Sequence, residues 1–428
     1  MRKLFAKPKN GLHGNLEVPG DKSISHRGIM FGSISEGKTI LHHFLTADDC
    51  LSTLAAFKQL GVPIKRDGDE VEIRGVGLND LSGTFEPLEM GNSGTTTRLI
   101  MGLLAGQRFN SILVGDASLS KRPMKRVSEP LSLMGADISV NDGHLPVVIH
   151  GTQLHGVDYQ LKVASAQVKS SLILAALQAD KPSTFVEKLP TRNHTEKMLN
   201  AFGADIETES DNLTIHVQPK PKLHGLELTI PGDMSSAAFF MVAGTLVPNS
   251  EVRLNNVGIN DTRTGLLRIL EKMGGNVELE NRQDNGEPTA DLVVKSANLK
   301  PIQIGAKDIP DVIDELPLVA LLAARANGHS KITGASELRV KETDRIAAVS
   351  NEFKKLGIDI SELPDGFDIN GSDSWKPQTN TLDSHGDHRI GMTDAIAALL
   401  VDQPMNLNNP DIVSISYPEF FDDLQKLL

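Results

Sequence analysis

The sequence predicts an α/β (α+β) protein of two domains, made from six similar units, three to a domain, with buried helices inside. Three observations predict it. The phrase "LGVPI" at Leu60 recurs as "MGADI" at Met134, "FGADI" at Phe202, "MGGNV" at Met273 and "LGIDI" at Leu356, and a spacing of about 70 residues marks a repeated supersecondary unit. Between these copies run stretches that are apolar nearly all round, beginning at His26, Thr97, Lys169, Ser235, Asp314 and His388; a helix without a polar face belongs inside. Finally, "VPGDKSIS" at Val18 is echoed by "IPGDMSSA" at Ile230, which divides the chain into halves. The expected domains are 18–230, and 1–17 with 231–428.

Within each copy an amphipathic stretch, such as "TADDCLSTLAAFKQ" or "DTRTGLLRILEKM", leads into a glycine and then a β-branched run. That is a helix stopped by a C-terminal glycine and followed by a strand, its one wet face placing it outside. The rest of each unit is short alternating strands, for example "VEIRGV" and "PVVIHG". The last unit ends early, in "FFDDLQKLL", and Met1 to about Glu17 precede the first boundary as a segment able to pair with the second domain.

A chain of 428 residues exceeds one ordinary core, and 39% hydrophobic residues with 37 scattered glycines and no low-complexity tract describe a folded globular protein. The formal charge of -12 excludes a general nucleic-acid or anionic-membrane partner. Any anion must therefore be held by local clusters of cations. The single cysteine, Cys50, excludes a disulfide framework and fits a reducing compartment. The basic start "MRKLFAKPKN" leads into no apolar run, and stretches such as Ala237 to Val247 are too short to span a bilayer, so the expected location is cytoplasmic.

The stretch "VPGDKSISHR" looks at first like the end of a phosphate-cradling nucleotide loop. Such a loop needs glycines where this chain has Leu16 and Asp21, so the nucleotide reading fails. What remains is a pattern: polar residues gather where the buried helices begin. Lys22, Ser23 and Arg27 open the first; Asn92, Ser93, Gly94 and Arg98 the second; Ser165, Gln167 and Lys169 the third; Asp311, Asp314 and Glu315 the fifth; Asp387, His388 and Arg389 the sixth. Arg122, Arg192, Lys341 and Arg345 mark starts of the outer helices.

Helix N-termini carry unpaired amides and partial positive charge, so several meeting at one place would bind a multiply anionic small molecule. Ser, Asn and Asp at such positions also serve as ordinary caps. Arg and Lys there oppose the dipole and call for an anion, and Arg27 and Arg389 lie in otherwise apolar helices. Lys22, Arg27, Arg122, Arg345 and Arg389 are therefore read together as ligand-binding. The histidines, including His42, His43, His385 and His388, lack the spacing of a metal site.

Seven motifs in order, "VPGDKSISHR", "GNSGTTTR", "KRPM", "SAQVKSS", "IPDVIDELP", "RVKETDR" and "GDHR", resemble the 5-enolpyruvylshikimate-3-phosphate (EPSP) synthase family over nearly the whole chain. The resemblance implies an inside-out arrangement of two domains, each of three βαβαββ units, with the active site in the cleft between them and an open form that closes on ligand. It implies transfer of the enolpyruvyl group of phosphoenolpyruvate to the 5-hydroxyl of shikimate 3-phosphate, with release of phosphate, by a monomer without metal or organic cofactor. Shikimate 3-phosphate would be held by Lys22, Ser23, Arg27, Ser165, Gln167, Arg192, Asp311 and Lys341. Phosphoenolpyruvate would be held by Lys22, Gly94, Arg122, Gln167, Arg345 and Arg389. Asp311 would act as base and Glu342 as acid, with Lys22 the third catalytic group; a carboxyl among cations tends to ionise, so an acidic Glu342 needs a compensating environment.

Glu337 and Ile415 depart from the best-known branch, which has an asparagine and a lysine there, and resemble the branch that includes glyphosate-tolerant members. With Gly94 keeping space for that inhibitor, partial tolerance is expected. The sister family that transfers enolpyruvate to UDP-N-acetylglucosamine uses a loop cysteine, whereas Cys50 lies in an outer-helix sequence. A non-catalytic scaffold has no need of Asp311 and Glu342 beside five cations.

Overall fold

The computed structural model describes residues 1–285 and 287–428. The chain divides into two compact units, Gly20–Ile230, and Met1–Pro19 together with Pro231–Leu428. Val18 and Pro19 fall in the second of these, Val18 being buried in its core.

The Gly20–Ile230 unit contains α1 (Lys22–Ser33), α2 (Asp48–Gln59), α3 (Gly94–Ala105), α4 (Lys125–Leu133), α5 (Ala166–Ala176) and α6 (His194–Ala201). Helices α1, α3 and α5 form its interior; in α3 every residue but Thr95 is buried. Two of these inner helices touch at Gly102, where an added methyl would lie 1.9 Å from the carbonyl oxygen of Ser171. Only glycine permits that approach.

Sheets cover the helices. Strands Leu88–Glu89, Asn110–Val114, His144–His150 and Asp137–Asn141 pair in that spatial order, the first two parallel across α3 and the others antiparallel. With α4 on the path between the second strand and the hairpin, the copy reads βαβαββ. Asp158–Gln160, Ser183–Val186, Thr214–Val217 and Ile206–Thr208 repeat the order around α5 and α6. Around α1 the opening strand comes from the far end of the unit, where Glu227–Thr229 runs parallel to Glu36–His42.

The other unit contains α7 (Met234–Leu246), α8 (Gly265–Met273), α9 (Leu316–Arg325), α10 (Arg345–Lys355), α11 (His388–Ala398) and α12 (Phe420–Leu427). All residues of α7 are buried, whereas α8 buries Leu266, Ile269, Leu270 and Met273, the i, i+3, i+4, i+7 stripe of an outer helix. Here the N-terminal residues supply missing strands. His13–Leu16 runs parallel to Glu251–Gly258, and Arg2–Lys3 runs antiparallel to Asn406–Asn408. The shortened last copy keeps Thr381–Asp383 and Asn406–Asn408 as a parallel pair, and α12 follows in place of a hairpin. Phe420 of α12 packs on Phe239 with ring centroids 5.7 Å apart, an edge-on contact worth about 0.5–1.5 kcal/mol beyond burial.

The recurring glycine has one cause. Gly61, Gly135, Gly203, Gly274 and Gly357 follow the outer helices with φ of +85, +88, +105, +85 and +81°, the left-handed conformation that ends a helix and that side chains resist. Among the described residues no helix is long and apolar enough to cross a membrane.

Candidate active site

In the Gly20–Ile230 unit the site is built on the starts of α1, α3 and α5. Asp21 caps α1, its carboxylate accepting the Ile24 amide at 2.9 Å. That places Lys22 on the first turn, where its ammonium pairs with Asp49 at the start of α2. One turn on, Arg27 is buried and its guanidinium is held on three sides. Nε donates to Thr195 Oγ1 at 2.7 Å, Nη2 to Ser170 Oγ at 2.9 Å, and Nη1 to the carbonyl of Ser23 at 2.9 Å. Its orientation is therefore fixed by α5 and α6, elements more than a hundred residues away in sequence.

Ser93 caps α3, accepting the Thr96 amide at 3.1 Å. A methyl group at Gly94 would sit 3.1 Å from Nη1 of Arg98 and 3.2 Å from Nη1 of Arg122. Two guanidinium groups thus reach the first residue of a helix, beside its unpaired amides, and an anion placed there meets both charges. Arg122 is aimed by Asn92: Nη2 donates to Asn92 Oδ1 at 2.5 Å and Nη1 to the Asn92 carbonyl at 3.1 Å. Arg98 donates to Gln167 Oε1 at 2.6 Å, while Gln167 Nε2 donates to Thr95 Oγ1 at 3.0 Å. The Gln167 amide therefore has a determined orientation. Ser165 caps α5 through the Val168 amide, and Arg192 stands two residues before α6.

Lys169 opens the same helix but turns into the protein. Its ammonium is 1% exposed, 2.7 Å from Glu187 and 2.8 Å from Glu196. Burial lowers its proton affinity, and Glu196 and Glu187 outweigh that and raise it, so the charge persists. His26 is also buried, with Nδ1 2.6 Å from Thr53 Oγ1; burial, then Lys22 and Arg27, push the imidazole well below its ordinary value.

In the other unit the cations come from α10 and α11. Arg345 is buried, with Nε 2.7 Å from Asp387 Oδ2 and Nη2 2.6 Å from Glu342 Oε2, and its Nη1 is 3.6 Å from Asp314. Burial lowers its proton affinity, but Asp387 and Glu342 reverse this and raise it. Lys341 pairs with Asp314 at 3.3 Å. Arg389 Nη1 donates to the Asp314 carbonyl at 3.2 Å and lies 3.7 Å from Glu315, which also accepts the hydroxyl of Ser235. Asp311 forms an ion pair with Arg268 of α8.

Each unit thus gathers its own share of the sequence-predicted residues. Lys22, Ser23, Arg27, Gly94, Arg122, Ser165, Gln167 and Arg192 stand at helix starts in one; Asp311, Lys341, Glu342, Arg345 and Arg389 stand in loops and first turns of the other. Glu337 lies in the short 3-10 turn Ser336–Val340 and Ile415 ends another, Pro410–Ile415. Sequence reasoning did not assign Arg98, Thr195, Ser170 or Arg268 to the site. Arg98 carried the same signal as Arg27, a charge within an apolar helix; the others gave none.

The sequence model of the EPSP synthase family, described as 3-phosphoshikimate 1-carboxyvinyltransferase, matches residues 6–424. A relative named 3-phosphoshikimate 1-carboxyvinyltransferase from Lactiplantibacillus plantarum is 59% identical over 427 residues, covering 100% of this chain and 99% of its own. One of the same name from Bacillus licheniformis is 47% identical, covering 98% of each. A solved structure of EPSP synthase from Acinetobacter baumannii superposes with a TM-score of 0.86 at 43% identity, over 100% of this chain and 98% of that one.

Proposed function

This chain belongs to the EPSP synthase family, and on that premise we propose that it transfers the enolpyruvyl group of phosphoenolpyruvate to the 5-hydroxyl of shikimate 3-phosphate. The observation that carries the reading is the start of α3, where Arg98 and Arg122 both reach within 3.2 Å of where a methyl on Gly94 would stand. A helix N-terminus with two guanidinium groups suits a phosphate or carboxylate and little else.

Both substrates are anionic, which fits local cation clusters on a chain of net charge -12. Ser23, Arg27, Ser165, Gln167 and Arg192 would hold the shikimate phosphate and ring, with Asp311 and Lys341 on the ring hydroxyls. Gly94, Arg122, Gln167, Arg345 and Arg389 would hold phosphoenolpyruvate, and Lys22 would touch both.

In the first step Asp311 takes the proton of the 5-hydroxyl, whose oxygen forms a bond to C2 of phosphoenolpyruvate, while C3 takes a proton from Glu342. Glu342 can carry that proton only when the anionic substrate draws off Arg345, its ion-pair partner at 2.6 Å. The product is a tetrahedral intermediate carrying both oxygens on C2. Glu342, left as a carboxylate by the first step, then takes a proton back from C3, the double bond re-forms as the bond from C2 to the phosphate oxygen breaks, and inorganic phosphate leaves. Charge that builds on phosphate and carboxylate is met by Lys22, Arg122, Arg345 and Arg389, preorganised by Asp49, Asn92 and Asp387. We read the enzyme as a cytoplasmic monomer: one chain supplies every assigned group, and its lone cysteine needs no oxidising compartment.

The test is phosphate release from phosphoenolpyruvate, measured once with shikimate 3-phosphate and once with UDP-N-acetylglucosamine. Release with the first alone is expected. Folded protein that releases none with shikimate 3-phosphate overturns the reading.

A further inference from the structure

Asp311 lies in the loop ahead of α9 and packs on the start of α8. Gly265 is the first residue of α8, and a methyl group there would stand 2.6 Å from the carbonyl oxygen of Asp311 and 3.0 Å from its Cβ. Any larger residue would lift the loop away. One turn later, on the same helix face, Arg268 reaches the loop and its Nη2 pairs with Oδ2 of Asp311.

The other arm of that guanidinium is also engaged. Nη1 donates to Thr264 Oγ1 at 3.0 Å and to the carbonyl of Asp261 at 3.3 Å. Arg268 therefore spans from the start of its own helix to the aspartate. Helix α8 is itself anchored by four buried apolar side chains, Leu266, Ile269, Leu270 and Met273, so the guanidinium is presented from a rigid element. An aspartate on a loop has two free side-chain torsions, and a proton transfer needs its oxygen placed within a few tenths of an ångström.

We infer that Arg268 is a positioning residue of the reaction, locking the Asp311 carboxylate by Oδ2 so that it receives the 5-hydroxyl proton, with Gly265 providing the seat for the loop. The inference rests on the assignment of Asp311 as the base. A neighbouring guanidinium also favours the ionised carboxylate, the form able to accept a proton. Lysine cannot replace it in full, because one ammonium does not grip Thr264 and Asp311 with the two arms of a planar fork. The side chain is 45% exposed, so its removal opens no hole in the core.

The wild-type enzyme is assayed first for phosphate release; absence of turnover there overturns the functional reading and is distinct from the outcomes below. Arg268→Ala is expected to lower kcat roughly 10- to 100-fold while KM for both substrates stays within about twofold. Millimolar guanidinium ion should restore part of the lost rate, and Arg268→Lys should fall between. Gly265→Ala, which removes no charge, should give the same kcat loss. Combined with Asp311→Asn, Arg268→Ala should slow the enzyme no more than about twofold further, because both act on one group. If Arg268→Ala does not fold, Arg268→Gln, which keeps most of the stem, gives the same reading. An unchanged kcat in the folded variant, or a full multiplicative loss in the double variant, would overturn the inference.

Discussion

Arg345 and Asp387 meet side-on, Nε to Oδ2 at 2.7 Å and Nη2 to Oδ1 at 3.3 Å, with the guanidinium 1% exposed. The same carboxylate caps α11, accepting the Arg389 amide at 2.8 Å. One acid thus sets the two arginines proposed to grip phosphoenolpyruvate in this unit. Asp387→Ala removes one of the carboxylates on Arg345 while Glu342 stays 2.6 Å away, so it is expected to cost roughly 1.5–3 kcal/mol, with about 1 kcal/mol more from the lost cap. Urea denaturation checks this. Asp387→Asn keeps a capping oxygen but loses the charge, so it should cost less than Asp387→Ala only by the cap; an Asp387→Asn variant as stable as the wild type would show that the ion pair contributes little.

Arg122→Ala removes a guanidinium aimed by Asn92 at the start of α3. A charge-assisted hydrogen bond is worth about 1.5–3 kcal/mol, so KM for phosphoenolpyruvate should rise roughly 10- to 100-fold. KM for shikimate 3-phosphate should change by no more than about threefold. Equal weakening of both substrates in steady-state kinetics would contradict the assignment.

Gly94→Ala tests the same corner by addition. Its methyl would come within 3.2 Å of both Arg98 and Arg122, and both guanidiniums are nearly buried with little room to retreat. Displacing them by a few tenths of an ångström should raise KM for phosphoenolpyruvate several-fold with stability almost unchanged. A crystal structure of the variant showing both arginines unmoved, with wild-type KM, would refute the close-approach argument.

The organisation of the site was legible wherever the signal was local. The glycines after the outer helices, the all-apolar inner helices and charges such as Arg27 inside them each carry their reason within a few residues. The partners were not legible. Arg27 is held by Ser170 and Thr195, 143 and 168 residues away, through hydroxyls that any capping or surface position could bear. Lys169 opens α5 much as Lys22 opens α1, yet turns inward to Glu187 and Glu196, because its carboxylates come from the next strand and helix. Arg268 looked like one more polar residue on a wet helix face. That residues 1–17 go with the second domain was expected, but the strands they join were not legible, because two- to four-residue strands such as Arg2–Lys3 and His13–Leu16 show too little alternation to name a partner.

Two buried groups give the units opposite responses to pH. His26, with its proton affinity depressed by burial and by Lys22 and Arg27, binds fewer protons folded than unfolded. Its contribution is present above the unfolded value near 6.5 and is lost as pH falls below it. Asp394 in α11 is raised well above the usual range by burial and then by Glu352, so it binds more protons folded than unfolded. Its contribution is lost as pH rises above about 4 toward the raised value. Amide exchange in α1 should therefore quicken on acidification below about pH 6.5, and His26→Gln should flatten that response. Asp394→Asn, a neutral isostere, should slow exchange in α11 at neutral pH. Unchanged exchange in either variant would show that the group does not titrate as described.

The central claim is that a carbon fragment, and not a phosphoryl group, leaves phosphoenolpyruvate. Phosphoenolpyruvate labelled with heavy oxygen in the bridge between C2 and phosphorus distinguishes the two routes in one turnover experiment with shikimate 3-phosphate. Attack at C2 followed by expulsion of phosphate breaks the carbon–oxygen bond, so mass spectrometry should find the label in inorganic phosphate. Label retained on the pyruvate-derived carbon would mean that the phosphorus–oxygen bond had broken, and would contradict the account.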